Sequence, residues 1–441
     1  MHPQPMFAFS VLALTVGLSL GQPRIGRFRI HHAQAGLIGA ALTILLGIAP
    51  PEILLTAARL LLIPVVTIVS LMVITLVADR AGLFGELADF LARRARGRGR
   101  VLFSLLFLTG TLLGTVFTND AAVLIFTPLV FHLVERISDG RWTPENKLPF
   151  YFAVLYIANL VGGLVIANPI NIVVASIFHI GFVEYARWMI APALVSIAVS
   201  FGGLWLFFGA SIPKTFHPMA PRGRAAPSRM QVLCAVVLAI TLLGFFAGSV
   251  IGAPTWSIAA AGAVLLILVQ AGGSREGLKP IVTGIGWDVL IFLCGMFIVG
   301  LGLRQAGVTR DLGDLIQQLS GGDLARMRLS AGLVAGTASA IINNHPTADM
   351  MAWVIQGFSL GGGEKRLLAF AALIGGDLGP KMLPIGSLAA LMWFRILRDK
   401  GVRIPYSLYI RVGVPVTLAA MLLSLLALNL EALLAGIPSG L

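Results

Sequence analysis

Charge, cysteine and the motifs of soluble catalysis are all scarce in this sequence. Only 12% of the 441 residues are charged, about half the roughly 25% of an ordinary soluble domain, which excludes a water-soluble globule. The two cysteines, Cys234 and Cys294, fall in separate apolar stretches, excluding a disulfide framework and a closely spaced thiol metal site. No G-x-x-x-x-G-K-[ST] occurs, so nucleotide hydrolysis through a P-loop is excluded. The absence of H-E-x-x-H and C-x-x-C removes the commonest intramembrane metalloprotease and thiol-metal sites, and no cofactor is called for. A G-x-S-x-G match at Gly17-Leu18-Ser19-Leu20-Gly21 lies in an apolar helix with no strand before it, so it is no nucleophile elbow. The first five residues hold no Lys or Arg; the stretch from Met6 to Leu20 therefore lacks a signal peptide's basic start and reads as a retained first helix.

What is present is apolar length: 57% of the residues are hydrophobic. Runs of about 20 apolar residues between polar gaps predict an all-α polytopic membrane protein. The predicted spans are 6–21, 35–49, 53–78, 149–180 and 188–210, then 230–250, 254–270, 285–303, 366–397 and 408–430. Two further apolar stretches, 101–136 and 326–360, carry polar residues at their centres: Thr118-Asn119-Asp120 and Asn343-Asn344-His345-Pro346-Thr347. A spanning helix pair would put such a turn in water, whereas a binding hairpin puts it where it lines a cavity. Both stretches are therefore read as re-entrant hairpins.

The order repeats: three helices, a short amphipathic stretch (82–95; 310–320), a hairpin, a broken helix and a last helix. Five crossings per half is odd, so the second copy is inverted, the usual construction of secondary transporters. The expected division is a first inverted repeat at 1–212, a cytoplasmic linker loop at 213–229 and a second inverted repeat at 230–441. The net charge of +13 is carried in the short gaps, which suits membrane orientation rather than a nucleic-acid face. The side holding Arg93, Arg94, Arg96, Arg98, Arg100 and Lys214 has roughly three times the Lys and Arg of the other, and is cytoplasmic by the positive-inside rule. Both termini then lie outside.

Ionisable groups inside apolar stretches are expensive and are functional candidates by default. Asp120, Asp349 and Asp377 are the three that qualify. Asp120 also suits an N-cap of the returning half-helix. The broken helices carry matching signals, Ala167-Asn168-Pro169-Ile170-Asn171 and Leu383-Pro384-Ile385-Gly386-Ser387, where freed amides and carbonyls offer donors and acceptors to a small polar solute. Each alone reads equally as a packing kink. Asp377 and Lys381 are four apart and can pair across a helical turn, although Pro380 between them argues for an opened backbone. His345 and Asp349 have the same spacing and the same reading as a pair.

These stretches resemble the arsenite/antimonite efflux permeases of the ion transporter superfamily. The likeness is carried by Phe117-Thr118-Asn119-Asp120-Ala121-Ala122 through Thr127-Pro128, Ala167-Asn168-Pro169-Ile170-Asn171-Ile172-Val173 and Asn343-Asn344-His345-Pro346-Thr347. Most specific is Gly376-Asp377-Leu378-Gly379-Pro380-Lys381 through Pro384-Ile385-Gly386-Ser387-Leu388. It departs at His345, where the family has an apolar residue, often Met. The resemblance implies export of trivalent arsenic and antimony hydroxides across a prokaryotic inner membrane, driven by the proton gradient, sometimes with a separate arsenite-stimulated ATPase as partner.

On that reading Asn119, Asn168, Asn171, Asn344, Thr347 and Ser387 line the solute site. Asp120 and Asp377 bind the driving proton, and Lys381 tunes Asp377. The hairpins and broken helices move against the remaining helices. A sodium/proton antiporter of the same superfamily would also use tip asparagines and buried acids. An organic-anion transporter fits less well, since Asp120 at a tip would repel its solute.

Overall fold

The computed structural model describes residues 3–25, 28–115, 119–216, 228–273, 279–384 and 386–437. Thr118 at the first tip lies outside the described residues, as do the side chains of Asn119 and Asp120, although the backbone of the latter two opens a helix.

The first copy comprises α1 (Pro3–Gly21), α2 (His32–Leu45), α3 (Ile53–Arg80), α4 (Leu83–Arg94), α5 (Gly99–Gly114), α6 (Asn119–Ser138), α7 (Pro144–Ile157), α8 (Pro169–Ile177) and α9 (Phe182–Phe208). The second comprises α10 (Arg229–Ile251), α11 (Thr255–Gly273), α12 (Lys279–Gly284), α13 (Trp287–Gln305), α14 (Val308–Ser320), α15 (Leu324–Ile342), α16 (Asn344–Gly357), α17 (Gly362–Leu378), α18 (Leu388–Asp399) and α19 (Tyr406–Leu434). With α12 set aside, the elements match one for one. Neither α12 nor the two-residue strands β1 (Arg24–Ile25) and β2 (Phe28–Arg29) was anticipated, because both are too short to carry a periodic signal.

This is an all-α polytopic membrane fold of two inverted repeats. Among the described residues, five helices, α3, α9, α10, α13 and α19, are long and apolar enough to cross a bilayer outright; α1, α2, α5 and α11 hold shorter apolar runs. The copies interlock through equivalent pairs: α2 packs on α13, α3 on α11, and α9 on α19. Each of α9 and α19 tolerates an internal proline, Pro192 and Pro415. At Pro192 the Ser424 hydroxyl donates to the carbonyl oxygen at 3.0 Å, a side-chain bond that ties α19 to α9 at the proline.

Glycine sets how closely the hairpins approach the broken helices. On α15, Gly332 and Gly336 face Gly375 and Gly379, so that a Cβ at either of the latter would collide with the backbone carbonyl of Gly332 or Gly336. In the first copy Gly114 of α5 abuts the Ile157 carbonyl at the end of α7, and Gly110 abuts the Ile157 side chain. Small residues permit such backbone contact, and without a hydrophobic drive between helices in lipid, close packing is what holds them together.

The hairpin reading of 326–360 follows from burial. Asn343, Asn344, His345 and Thr347 at its tip are all buried, not set in a surface turn. The chain reverses at Asn343 with φ 81° and ψ 157°, a region otherwise almost reserved to glycine and costing about 1–3 kcal/mol for other residues. Its side chain caps α16 by accepting from the His345 amide, and the Thr347 hydroxyl donates to its carbonyl oxygen at 2.8 Å.

Candidate binding site where the two helix breaks meet

Both breaks are built by the same local chemistry. After α7 the chain runs through Gly162-Gly163 to Asn168, which is extended at φ −143° and ψ 137° and caps α8, with Pro169 next. Proline at the first helical position loses no hydrogen bond, since its missing N–H would be unsatisfied there anyway. In the second copy Gly379-Pro380-Lys381 tightens into a 3₁₀ turn. Ser387, at φ −142° and ψ 137°, caps α18. Asn168 and Ser387 are thus equivalent capping residues with the same backbone geometry.

Each cap reaches a residue of the opposite copy. Asn168 Nδ2 donates to Asp377 Oδ1 at 2.6 Å, and Asn171 Nδ2 donates to Asp377 Oδ2 at 3.3 Å. The Gly162 amide donates to the same Oδ2 at 2.9 Å. Charge-assisted contacts of this kind are roughly twice as strong as neutral ones. The equivalent contact on the other side is neutral: the Ser387 hydroxyl donates to Asn159 Oδ1 at 3.5 Å. At this crossing the Asp377 contact carries a carboxyl, whereas the Ser387–Asn159 contact carries none.

Asp377 and Lys381 are each 1% exposed, but they form no ion pair among the described residues. Pro380 and the 3₁₀ turn carry Lys381 off the α17 helical track. Its Nζ lies 4.8 Å from the centre of the Tyr156 ring and has no hydrogen-bond partner. Tyr156 is held by donating to the Val412 carbonyl at 3.3 Å. Asn171 Oδ1 is likewise buried without a partner. Lys381 Nζ is thus an orphan donor and Asn171 Oδ1 an orphan acceptor at this centre, and both residues are occluded.

The residues singled out from sequence distribute as follows. Asn168, Asn171 and Asp377 come together directly. Ser387 joins Asn159. Asn344 is engaged by His345, with Nδ1 and Oδ1 2.9 Å apart, and Thr347 is used within the hairpin tip. The side chains of Asn119 and Asp120 lie outside the described residues. The expected His345–Asp349 pair is absent among the described bonds: the His345 ring faces Asn343 and Asn344, because the tip backbone turns it toward the cap. Asn159, Gly162 and Tyr156 were missed; only the Gly162-Gly163 doublet beside a break gave any signal in sequence.

Residues 7–431 match the family model described as arsenical pump membrane protein. An arsenical pump membrane protein of Yersinia enterocolitica is 32% identical over 97% of this chain and 99% of its own length. A putative arsenical pump membrane protein of Bacillus subtilis is 24% identical over 82% of this chain and 86% of its own. Among solved structures, the YdaH transporter of Alcanivorax borkumensis superposes over 100% of both chains with a TM-score of 0.56 at 15% identity, a likeness of fold alone. With a family model spanning nearly all of its length, the chain belongs to the arsenical pump membrane protein family.

Proposed function

We propose that this chain is a secondary active transporter exporting arsenite and antimonite, as neutral trivalent hydroxides, across a prokaryotic inner membrane by proton antiport. The observation that carries the reading is the buried carboxyl of Asp377, bonded by Asn168, Asn171 and Gly162 of the opposite copy. A small molecule rich in hydroxyls both donates and accepts hydrogen bonds. The orphan Asn171 Oδ1 suits a hydroxyl proton, and the orphan Lys381 Nζ suits a hydroxyl oxygen. With two cysteines in all, three-thiolate chelation is ruled out, and oxygen contacts favour release.

Substrate hydroxyls and a proton compete for the same carboxylate and amides. Protonation of Asp377 weakens the charge-assisted contacts from Asn168 and Asn171, and deprotonation restores them. Mutual exclusion at one site is what an exchange cycle needs. Asn119, Asn344, Thr347 and Ser387 complete the solute lining in this reading, Asp120 is the second proton-binding acid, and Lys381 tunes Asp377 through its charge.

The copies are residues 1–212 and 230–441 joined by a cytoplasmic linker at 213–229, with both termini periplasmic. The hairpins and broken helices rock against the long helices, carrying the site between the two sides.

The test is arsenite accumulation in cells with and without the protein, with proton and sodium gradients collapsed separately. Accumulation should fall when the protein is present and recover when the proton gradient is removed. Recovery only on removing the sodium gradient, or sodium-dependent proton flux in everted vesicles lacking arsenite, would contradict it and favour a sodium/proton antiporter.

A further inference from the structure

A second row of polar groups lies away from Asp377, along the seam between α16 and α13. His345, Asp349 and Trp353 follow one another at intervals of four on α16, and so share one face of that helix. They are 3%, 4% and 5% exposed. The facing side of α13 supplies matching contacts. Phe292 meets the His345 ring edge-on at a centroid distance of 6.3 Å. At Gly300 a Cβ would stand 3.3 Å from Asp349 Cβ. The Arg304 guanidinium covers the Trp353 ring at 4.5 Å, and Phe297 lies 6.0 Å from the same ring.

Three polar nitrogens of this row and its cap are unsatisfied by protein. Asn343 Nδ2, His345 Nε2 and Trp353 Nε1 are all buried without a hydrogen-bond partner. Asp349 has no hydrogen bond or ion pair among the described residues. Orphan polar groups at membrane depth occur where backbone or side chains line a wet path, since in hydrocarbon each costs several kcal/mol. The row spans about 12 Å along the helix from His345 to Trp353, at 1.5 Å per residue. It begins at the hairpin tip and ends at Arg304, which is exposed and lies on the side assigned as periplasmic. Among the described residues, Cys294 on α13 is an ionisable group with an electrostatic interaction with Asp349. His32 stands behind Phe292, its ring 6.1 Å away. The ionisable residues of α14 are not placed against Asp349, since Gly313 brings that helix to Val354 and Phe358.

We propose that the α13–α16 seam is a proton path from the periplasmic side to the hairpin tip, with Asp349 as its titrating acid and His345 as its inner end. The inference rests on the proton-antiport reading and extends it: Asp377 is where proton and solute compete, and Asp349 is how the proton arrives. No electron transfer or covalent step is involved; the carboxyl of Asp349 gains a proton from outside water and passes it inward.

The test uses the full-length protein in proteoliposomes, comparing wild type, Asp349→Asn and Asp349→Glu. Two rates are read: arsenite uptake driven by an imposed pH gradient, and arsenite equilibrium exchange with no gradient. Asp349→Asn should lower gradient-driven uptake by roughly a hundredfold or more, the range for loss of a positioned proton-transfer group. It should leave exchange and the arsenite concentration for half-maximal exchange unchanged, and Asp349→Glu should restore the driven rate. Full driven uptake by Asp349→Asn would overturn the path. So would loss of both rates with no rescue by Asp349→Glu, which makes Asp349 a structural residue. A wild-type protein whose uptake ignores the pH gradient would instead sink the antiport reading itself.

Discussion

Asn168 and Asp377 are 209 residues apart in sequence, yet their side chains are joined by a 2.6 Å hydrogen bond that ties the first helix break to the second. Replacing Asn168 by Ala removes a donor from a buried carboxylate, a contact worth about 1.5–3 kcal/mol. Arsenite export by Asn168→Ala should fall by roughly 10- to 100-fold, the same energy read as a rate. The swapped double variant Asn168→Asp with Asp377→Asn keeps one carboxyl and one amide at the crossing and should recover part of the loss. Resistance to arsenite in cells lacking other exporters measures both.

Lys381 and Tyr156 form the neighbouring contact, and it predicts a coupled pair. Tyr156→Leu deletes the ring under a desolvated ammonium, a contact worth about 2 kcal/mol, and should lower thermal stability in detergent. Lys381→Met replaces a buried charge that has no ion pair with an apolar chain of similar length, so stability should hold or rise. Adding Tyr156→Leu to Lys381→Met should then cost less than it does alone. Equal costs in both backgrounds would show that the ring does not hold the ammonium. Export by Lys381→Met should nonetheless fall, since an orphan donor of the site is gone.

Glycine packing between hairpin and broken helix gives a prediction about fold rather than chemistry. Gly375→Ala puts a methyl group into the Gly332 carbonyl, and overpacking of this kind costs about 1–3 kcal/mol. Gly17, with nothing within 4 Å of its missing Cβ, is the control: Gly17→Ala should gain about 0.5–1 kcal/mol from helix propensity. Thermal unfolding in detergent should separate the two variants in opposite directions.

Asn343 holds the hairpin tip at φ 81°. Asn343→Gly relieves the backbone while losing the side-chain cap, two effects of similar size and opposite sign. Asn343→Ala loses the cap and keeps the strain. The alanine variant should therefore be less stable than the glycine variant by about 1 kcal/mol or more; the reverse order would show that the backbone at this position carries no strain that glycine relieves.

Much of this arrangement was legible because lipid makes polarity costly. A carboxyl at Asp377 and amides at Asn168 and Asn171, each inside an apolar run beside Pro or Gly, are visible as exceptions to the hydrophobic pattern, and the structure brings them together. The second hairpin and the recurrence of elements were legible for the same reason, the hairpin from a polar tip at the centre of a long apolar stretch. What sequence did not reveal are the partners. Asn159 and Tyr156 look like ordinary helix residues until α7 is set against Ser387 and Lys381. The four-residue spacings of Asp377 with Lys381 and of His345 with Asp349 suggested pairs on one helix. In each case a local backbone feature, the 3₁₀ turn at Pro380 or the reversal at Asn343, turns one member away.

The measurement that bears most directly on the central claim is proton movement on adding arsenite to purified protein in liposomes loaded with a pH indicator. Wild type should move protons opposite to arsenite. Asp377→Asn, folded by its unfolding temperature, should move none. Arsenite-linked proton movement of wild-type size in Asp377→Asn would contradict the account.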